Sequence, residues 1–302
     1  LMLENTGAGT FVLALNEPNT ALGGDLIFRT TAGLLRAGTS GFVNKPTLSG
    51  DLRVRILGGT GILAGTKLAA GKQFVSDTLS GGTLGLNDVI QLGGQASNLT
   101  GSGTARISLS AGCDIGGDFT AQSPSIYFGN AIFRGNVALT KTGNVSDQCD
   151  GNLTIMGTTL LKNTSASGTF QLSYPNNSAM NYHGDVTFEN AGTGNLWLGY
   201  GGVHYAKADV IFAGSNTLTN TWSNKLVLNG TATQAIKRSN TLTNGVLRLE
   251  INKTGGEANL EMPFHVGLNL MLTQGNLKTT ETNVLALFNT TTVTGGSELS
   301  YI

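Results

Sequence analysis

The sequence predicts an all-β chain wound as a parallel β-helix, a β-solenoid of degenerate repeats. Three observations predict it: a composition of strand and turn formers, a recurring phrase that turns a corner and then alternates, and the near absence of helical periodicity. The chain has 302 residues, with 44 Gly, 39 Thr and 28 Asn. Thr suits a pleated surface because its Cβ is branched, whereas Gly and Asn tolerate the backbone of tight turns.

The recurring phrase is Gly, then Asp or Asn, then alternating apolar residues. It reads Gly24-Asp25-Leu26-Ile27-Phe28, Gly50-Asp51-Leu52-Arg53-Val54, Gly117-Asp118-Phe119 and Gly135-Asn136-Val137-Ala138-Leu139. It returns as Gly151-Asn152-Leu153-Thr154-Ile155, Gly184-Asp185-Val186-Thr187-Phe188 and, in a variant, Ala208-Asp209-Val210-Ile211-Phe212. Neighbouring copies lie 26, 18, 16, 33 and 24 residues apart, spacings that we read as one coil or two. Val186, Phe188, Val210 and Phe212 are expected inside and Thr187 outside, with Gly-Asp at the corner. About 15 coils stacked at roughly 4.8 Å give a rod on the order of 70 Å long. The best helical candidate, Gly61 to Ala70, is interrupted by two glycines.

Charge narrows the function classes. Lys plus Arg and Asp plus Glu number 18 each, only 12% of the chain together, against roughly 25% in ordinary soluble domains. No basic field is available for nucleic acid or an anionic membrane. No run of about 18 apolar residues is present to span a membrane. Leu1-Met2-Leu3-Glu4-Asn5 lacks a basic leader region, and Leu299-Ser300-Tyr301-Ile302 stops in mid-strand. Both ends are therefore expected to be cuts inside a longer protein, with further repeats of the same chain as partners at each end. One continuous body is expected, with residues 1–240 as the shaft and 241–302 as further coils. A softer seam is expected near 240, where Asn244-Gly245-Val246-Leu247 opens a differently spaced section.

That last section carries a resemblance. Leu247-Arg248-Leu249-Glu250-Ile251-Asn252-Lys253-Thr254-Gly255-Gly256 is followed by Met262-Pro263-Phe264-His265-Val266-Gly267-Leu268-Asn269-Leu270. Next come Leu272-Thr273-Gln274-Gly275-Asn276-Leu277, Asn283-Val284-Leu285-Ala286-Leu287 and Thr294-Gly295-Gly296-Ser297 through Tyr301. Upstream stands Leu226-Val227-Leu228-Asn229-Gly230-Thr231-Ala232-Thr233-Gln234-Ala235-Ile236. This series resembles the repeats of very large surface proteins of the Bacteroidota, which are similar to the gliding adhesins. The resemblance is specific over 225–302 and looser over 117–225. It implies a β-helical shaft, export by the type 9 secretion system to the cell surface, and a role in adhesion or gliding motility. It makes the secretion machinery an expected partner; surface glycans and abiotic surfaces are candidate targets. Asp77-Thr78-Leu79 resembles the O-glycosylation sequence of the same bacteria. Eight Asn-x-Ser/Thr triplets, at Asn98, Asn144, Asn152, Asn163, Asn176, Asn229, Asn252 and Asn289, follow from composition alone.

Candidate sites are few. Cys113 and Cys149 are the only cysteines, and in an exported chain a disulfide between them is expected. Such a bridge gathers Asp114, Asp118, Asp147 and Asp150, four hard oxygen ligands that suit Ca²⁺. Their spacing matches no calcium loop, and the preferred reading is corner aspartates bonding the backbone. Gly59, Gly61 and Ala64 fit the Gly-x-Gly-x-x-Ala dinucleotide fingerprint, but no helix or βαβ pattern follows, so no cofactor is expected. His183, His204 and His265 have no metal-ligand spacing and read as surface or corner residues.

Aromatic residues gather at Phe170, Tyr174, Tyr182, Phe188, Trp197, Tyr200, Tyr205, Phe212 and Trp222. Either they form an internal ladder, or Trp197, Tyr200 and Tyr205 present a glycan-binding patch. Alternation through Asn195-Leu196-Trp197-Leu198 puts Trp197 opposite the two leucines without saying which set faces out. Three functions follow. The first is a non-enzymatic structural or adhesive shaft. The second is a glycan-binding module, and the third a β-helical carbohydrate-active enzyme. The third requires paired acids, and Asp185 and Glu189 are the nearest to the aromatics.

Overall fold

A computed structural model describes residues 1–13, 21–41, 45–110, 112–174, 178–216, 224–239, 244–297 and 301–302. Trp222, Asn176 and the seam expected at 240 lie outside the described residues. Every regular element among the described residues is a strand. The chain is a parallel β-solenoid of about 12 turns, fewer than the 15 expected because its turns are longer. It divides into two compact units, Leu1–Val145 and Ser146–Ile302.

In the first unit each turn contributes strands to three parallel sheets. The first face stacks Met2–Asn5, Leu26–Thr30, Leu52–Ile56, Phe74–Leu79, Ser97–Thr100, Phe119–Ser123 and Val137–Lys141. The second stacks Thr10–Leu13, Leu34–Ala37, Thr60–Ala64, Thr83–Asn87, Arg106–Ser110 and Ser125–Phe128. The third begins with Ala21–Leu22 and ends with Cys113–Ile115 and Ala131–Phe133. The Gly61–Ala70 segment thus supplies strands to two sheets and no helix.

In the second unit the first face stacks Thr159–Asn163, Val186–Asn190, Val210–Gly214, Gln234–Arg238, Ala258–Leu260 and Leu277–Lys278. The third runs from Leu153–Ile155 and Ala179–Tyr182 through Val203–Ala206 and Lys225–Leu228 to two long strands, Asn244–Asn252 and Phe264–Gln274. The ladder between those two shifts register twice. A three-stranded sheet of Asp147–Gln148, Thr169–Gln171 and Asn195–Trp197 completes the early turns.

The core follows from the period of two. Val186, Phe188, Val210 and Phe212 are wholly buried, as alternation predicts, while Thr187 is half-buried on the outside. Register places Phe188 against Phe212, with ring centroids 5.9 Å apart, and Val186 against Val210. Each core residue thereby packs on its counterpart in the next turn as well as across the interior.

Corners are held by the Gly-Asp phrase. Asp25 Oδ1 accepts the backbone N–H of Asp51 at 2.9 Å, and Asp51 Oδ1 accepts that of Gln73 at 3.1 Å. Asp118 does the same for Asn136 at 2.7 Å. A carboxylate here replaces the water that a sharply turned N–H would otherwise need. A second device is a column of glycines, Gly33, Gly59 and Gly82, with φ of 69°, 73° and 72°. A Cβ on Gly59 or Gly82 would collide with the backbone of the glycine one turn before it, so this column requires glycine.

Turn length is not uniform. First-face partners are separated by as few as 18 residues (Thr120 and Ala138) and as many as 27 (Leu160 and Thr187). The intervals of 16 and 33 are therefore neither one turn nor two. Gly151-Asn152 precedes a third-face strand, and Asn152 Oδ1 caps the N–H of Ala179 in a corner column of its own.

Candidate functional site

Alternation that buries one set of residues sends the other set outward, and stacking aligns those outward residues from turn to turn. On the first face of unit Leu1–Val145, this gathers charges that are scattered in the sequence. Glu4 lies opposite Arg29, and Arg29 lies opposite Arg55. Arg53 stands two residues before Arg55, opposite Ile27. In the next strand, register shifts between Ser76 and Thr78, which makes Asp77 the extra residue of a β-bulge. The bulge turns Asp77 back toward the arginines. It accepts from Arg53 Nη2 at 2.5 Å, Arg53 Nε at 3.2 Å and Arg55 Nε at 2.9 Å. Burial works against the charge of Asp77, but these guanidinium hydrogen bonds outweigh it and hold the carboxyl below its ordinary pKa. On the far side, Arg29 Nη1 donates to Glu4 Oε1 at 2.6 Å.

Arg29, Arg53, Arg55, Asp77, Leu57 and Thr78 line an open depression of about 610 Å³. Within the Asp77-Thr78-Leu79 triplet, Leu79 is buried in the core and Thr78 is exposed on the rim.

The aromatic candidates divide between inside and outside. Phe170, Tyr182, Phe188 and Phe212 are buried, so an internal ladder exists. Leu196 and Leu198 are also buried, which settles the question left open by alternation: Trp197 belongs to the outward set. It is half-buried, and its indole Nε1 is shielded with no hydrogen-bond partner. Tyr200 packs against Tyr174, with centroids 6.0 Å apart, and Tyr174 is exposed. Tyr205 is outward on Val203–Ala206, a strand of a different sheet from Trp197. Trp197 and Tyr205 therefore do not share one sheet, and Tyr174 joins Tyr200 instead.

Cys113 and Cys149 form no disulfide, contrary to expectation; both are buried thiols. The Cys113 thiol points inward and shares its one S–H between Leu86 O at 3.1 Å and Ser110 O at 3.2 Å. Burial pushes its pKa up to about 11, which keeps it an unreactive thiol. Cys149 lies near Tyr182 in the interior of the second unit.

Without that bridge, the four aspartates have no reason to converge. Asp114 makes a bidentate pair with Arg134, both contacts at 2.7 Å, and Asp118 caps Asn136. Asp147 is buried in the three-stranded sheet, in a strand paired with Thr169–Gln171, and Asp150 lies in the turn that follows. Among the described residues, no group of three or more His, Cys, Asp or Glu is placed to hold a metal ion. Gly59 to Ala64 is corner and strand, so the fingerprint lacks the helix on which a dinucleotide phosphate would sit. Asp185 Oδ1 accepts the N–H of Asp209 at 3.1 Å, and Glu189 pairs with Lys162 at 2.7 Å.

His183 and His265 are half-buried, but His204 is wholly buried, contrary to the surface or corner reading. Its Nε2 lies 2.6 Å from Leu198 O, which can only accept, so Nε2 carries the proton. Nδ1 therefore accepts from Tyr182 O–H at 3.0 Å. Burial drives the His204 pKa down to about 4, which keeps the ring neutral. The signal was present in Val203-His204-Tyr205-Ala206, where His204 shares parity with the inward Ala206. Two lysines were also missed. Lys141 donates to Pro124 O and Gly143 O at 2.9 and 2.6 Å, and Lys253 to Gly230 O, Ala232 O and Gln234 Oε1 at 2.7–2.9 Å. Both bury their stems and use the ammonium to satisfy corner carbonyls.

No protein-family model, curated protein or solved structure matches this chain.

Proposed function

We propose that the chain is a non-enzymatic, extracellular shaft of a structural or adhesive surface protein. One observation carries this reading: ionic groups are used to join turn to turn. Glu4–Arg29, Asp77–Arg53, Asp114–Arg134, Lys162–Glu189, Lys225–Glu250 and Lys278–Glu257 each link neighbouring turns. Staples of this kind run across the strands, along the stacking direction, and so resist separation of one turn from the next. A hydrolase instead gathers acids of different pKa across a cleft. The resemblance of residues 225–302 to Bacteroidota surface repeats supports a place on the cell surface, with type 9 secretion as the export route.

A second reading, a glycan-binding module, is favoured by the outward placement of Trp197 and by the pairing of exposed Tyr174 with half-buried Tyr200. The test is to coat beads with the purified chain, measure retention under flow on glass and on glycan-coated surfaces, and assay polysaccharides for new reducing ends. Retention without product supports the adhesive shaft. Retention on glycan alone that needs Trp197 supports the module. Release of reducing ends overturns both.

A further inference from the structure

We infer that the depression at Arg29, Arg53 and Arg55 is a binding site for an acidic polysaccharide, whose sulfate or carboxylate bridges Arg29 and Arg55. These two arginines lie directly opposite each other on adjacent parallel strands. Like charges in that position repel unless an anion lies between them. The protein's own acids sit on the outer sides of the pair: Glu4 beyond Arg29, and Asp77 beyond Arg55. Asp25 and Asp51, the other nearby acids, are occupied at the corner, capping backbone N–H groups at the opposite end of the strands. The depression is thus lined by three guanidinium groups against one carboxylate, that of Asp77, and keeps a net positive charge.

The remaining donors point the same way. Arg29 uses Nη1 on Glu4, and Arg55 uses Nε on Asp77, which leaves planar N–H edges on both for an oxyanion. Both side chains are accessible, at 42% and 46% of full exposure. Asp77, fixed by the bulge and by two arginines, acts as a positioning residue that holds Arg53 and Arg55 in place. The ligand class follows from size and lining. About 610 Å³ exceeds the needs of a lone oxyanion, Leu57 is half exposed as an apolar wall, and Thr78 adds a hydroxyl at the rim. A charged sugar unit uses all three. The site stands on arginine register and goes beyond the shaft reading, since it holds whether or not the chain is adhesive.

The experiment measures binding of the full chain to dextran sulfate, polygalacturonate, neutral dextran and inorganic sulfate at low salt. Either polyanion is expected to bind, neutral dextran is not, and the better polyanion identifies the oxyanion. The double variant Arg29→Gln/Arg55→Gln is expected to lose at least about tenfold in affinity. Arg134→Gln, whose guanidinium is already filled by Asp114, is expected to stay within about twofold. Arg29→Lys/Arg55→Lys keeps the charge but removes the planar fork, so an intermediate loss is expected, and it serves in place of the glutamine pair should that pair fail to fold. Equal losses for the Arg29/Arg55 and Arg134 variants, binding of inorganic sulfate only, or no polyanion binding overturns the inference.

Discussion

Asp209 receives the backbone N–H of Ala235 from the following turn at 2.7 Å, while its own N–H donates to Asp185 in the preceding turn at 3.1 Å. One residue thus ties three consecutive turns of the second unit. Its other carboxylate oxygen pairs with Lys237. Asp209→Ala is expected to cost about 1–3 kcal/mol, because it orphans a partly buried N–H. Asp209→Asn keeps the acceptor and is expected to cost under about 1 kcal/mol, since the exposed ion pair contributes little. Urea unfolding of both variants checks the order; equal losses assign the effect to the ion pair instead.

His204 makes stability depend on pH. Its pKa is about 4 in the folded chain, against an ordinary 6.5. Between those values the unfolded chain binds the proton and the folded chain does not, so stability rises with pH. The contribution is complete above about pH 6.5 and is lost as pH falls toward 4, amounting to on the order of 3 kcal/mol. Unfolding followed from pH 7 to pH 4.5 should show this slope, and His204→Gln should flatten it. An unchanged slope in the variant places the titration elsewhere.

Two thiols should be found per chain. In the native protein, Cys113 and Cys149 are buried, and neither is expected to react with an aromatic disulfide reagent within minutes. In denaturant without reductant, both should react. Mass consistent with an intact cystine would restore the bridge that the sequence suggested.

Trp197→Ala separates the two functional readings. Removing a half-buried outward ring should leave shaft stability within about 1–2 kcal/mol of the parent. Glycan-array binding lost in this variant assigns Trp197 to recognition; binding retained retires the aromatic patch and leaves the arginine depression as the candidate.

Much of this architecture was legible, for a definable reason. Val186, Phe188, Val210 and Phe212 could be placed inside because a period of two is a local property of a strand. Asp25, Asp51, Asp118, Asp185 and Asp209 could be placed at corners because Gly-Asp has few other uses between alternating runs. Properties that depend on turn length were hidden. Turns vary from 18 to 27 residues, so no fixed period shows that Arg29 meets Arg55 or that a bulge brings Asp77 to both Arg53 and Arg55. The cysteine pairing failed for a related reason: with turns of varying length, a separation of 36 residues does not say whether two Cα atoms come within disulfide reach. His204 was missed because histidine was judged by residue type, although its parity with Ala206 placed it in the core.

The central claim is that each turn stacks in parallel register on the next, and engineered cysteines at Thr187 and Ile211 test it most directly. These outward residues are Cα partners on adjacent strands of one sheet. Parallel neighbours sit about 4.8 Å apart, within the 4.4–6.8 Å that a disulfide spans. In a Cys113→Ser/Cys149→Ser background, mild oxidation should join positions 187 and 211 and leave a 187/213 pair largely reduced. Equal bridging of both pairs, or of neither, would contradict a solenoid wound in this register.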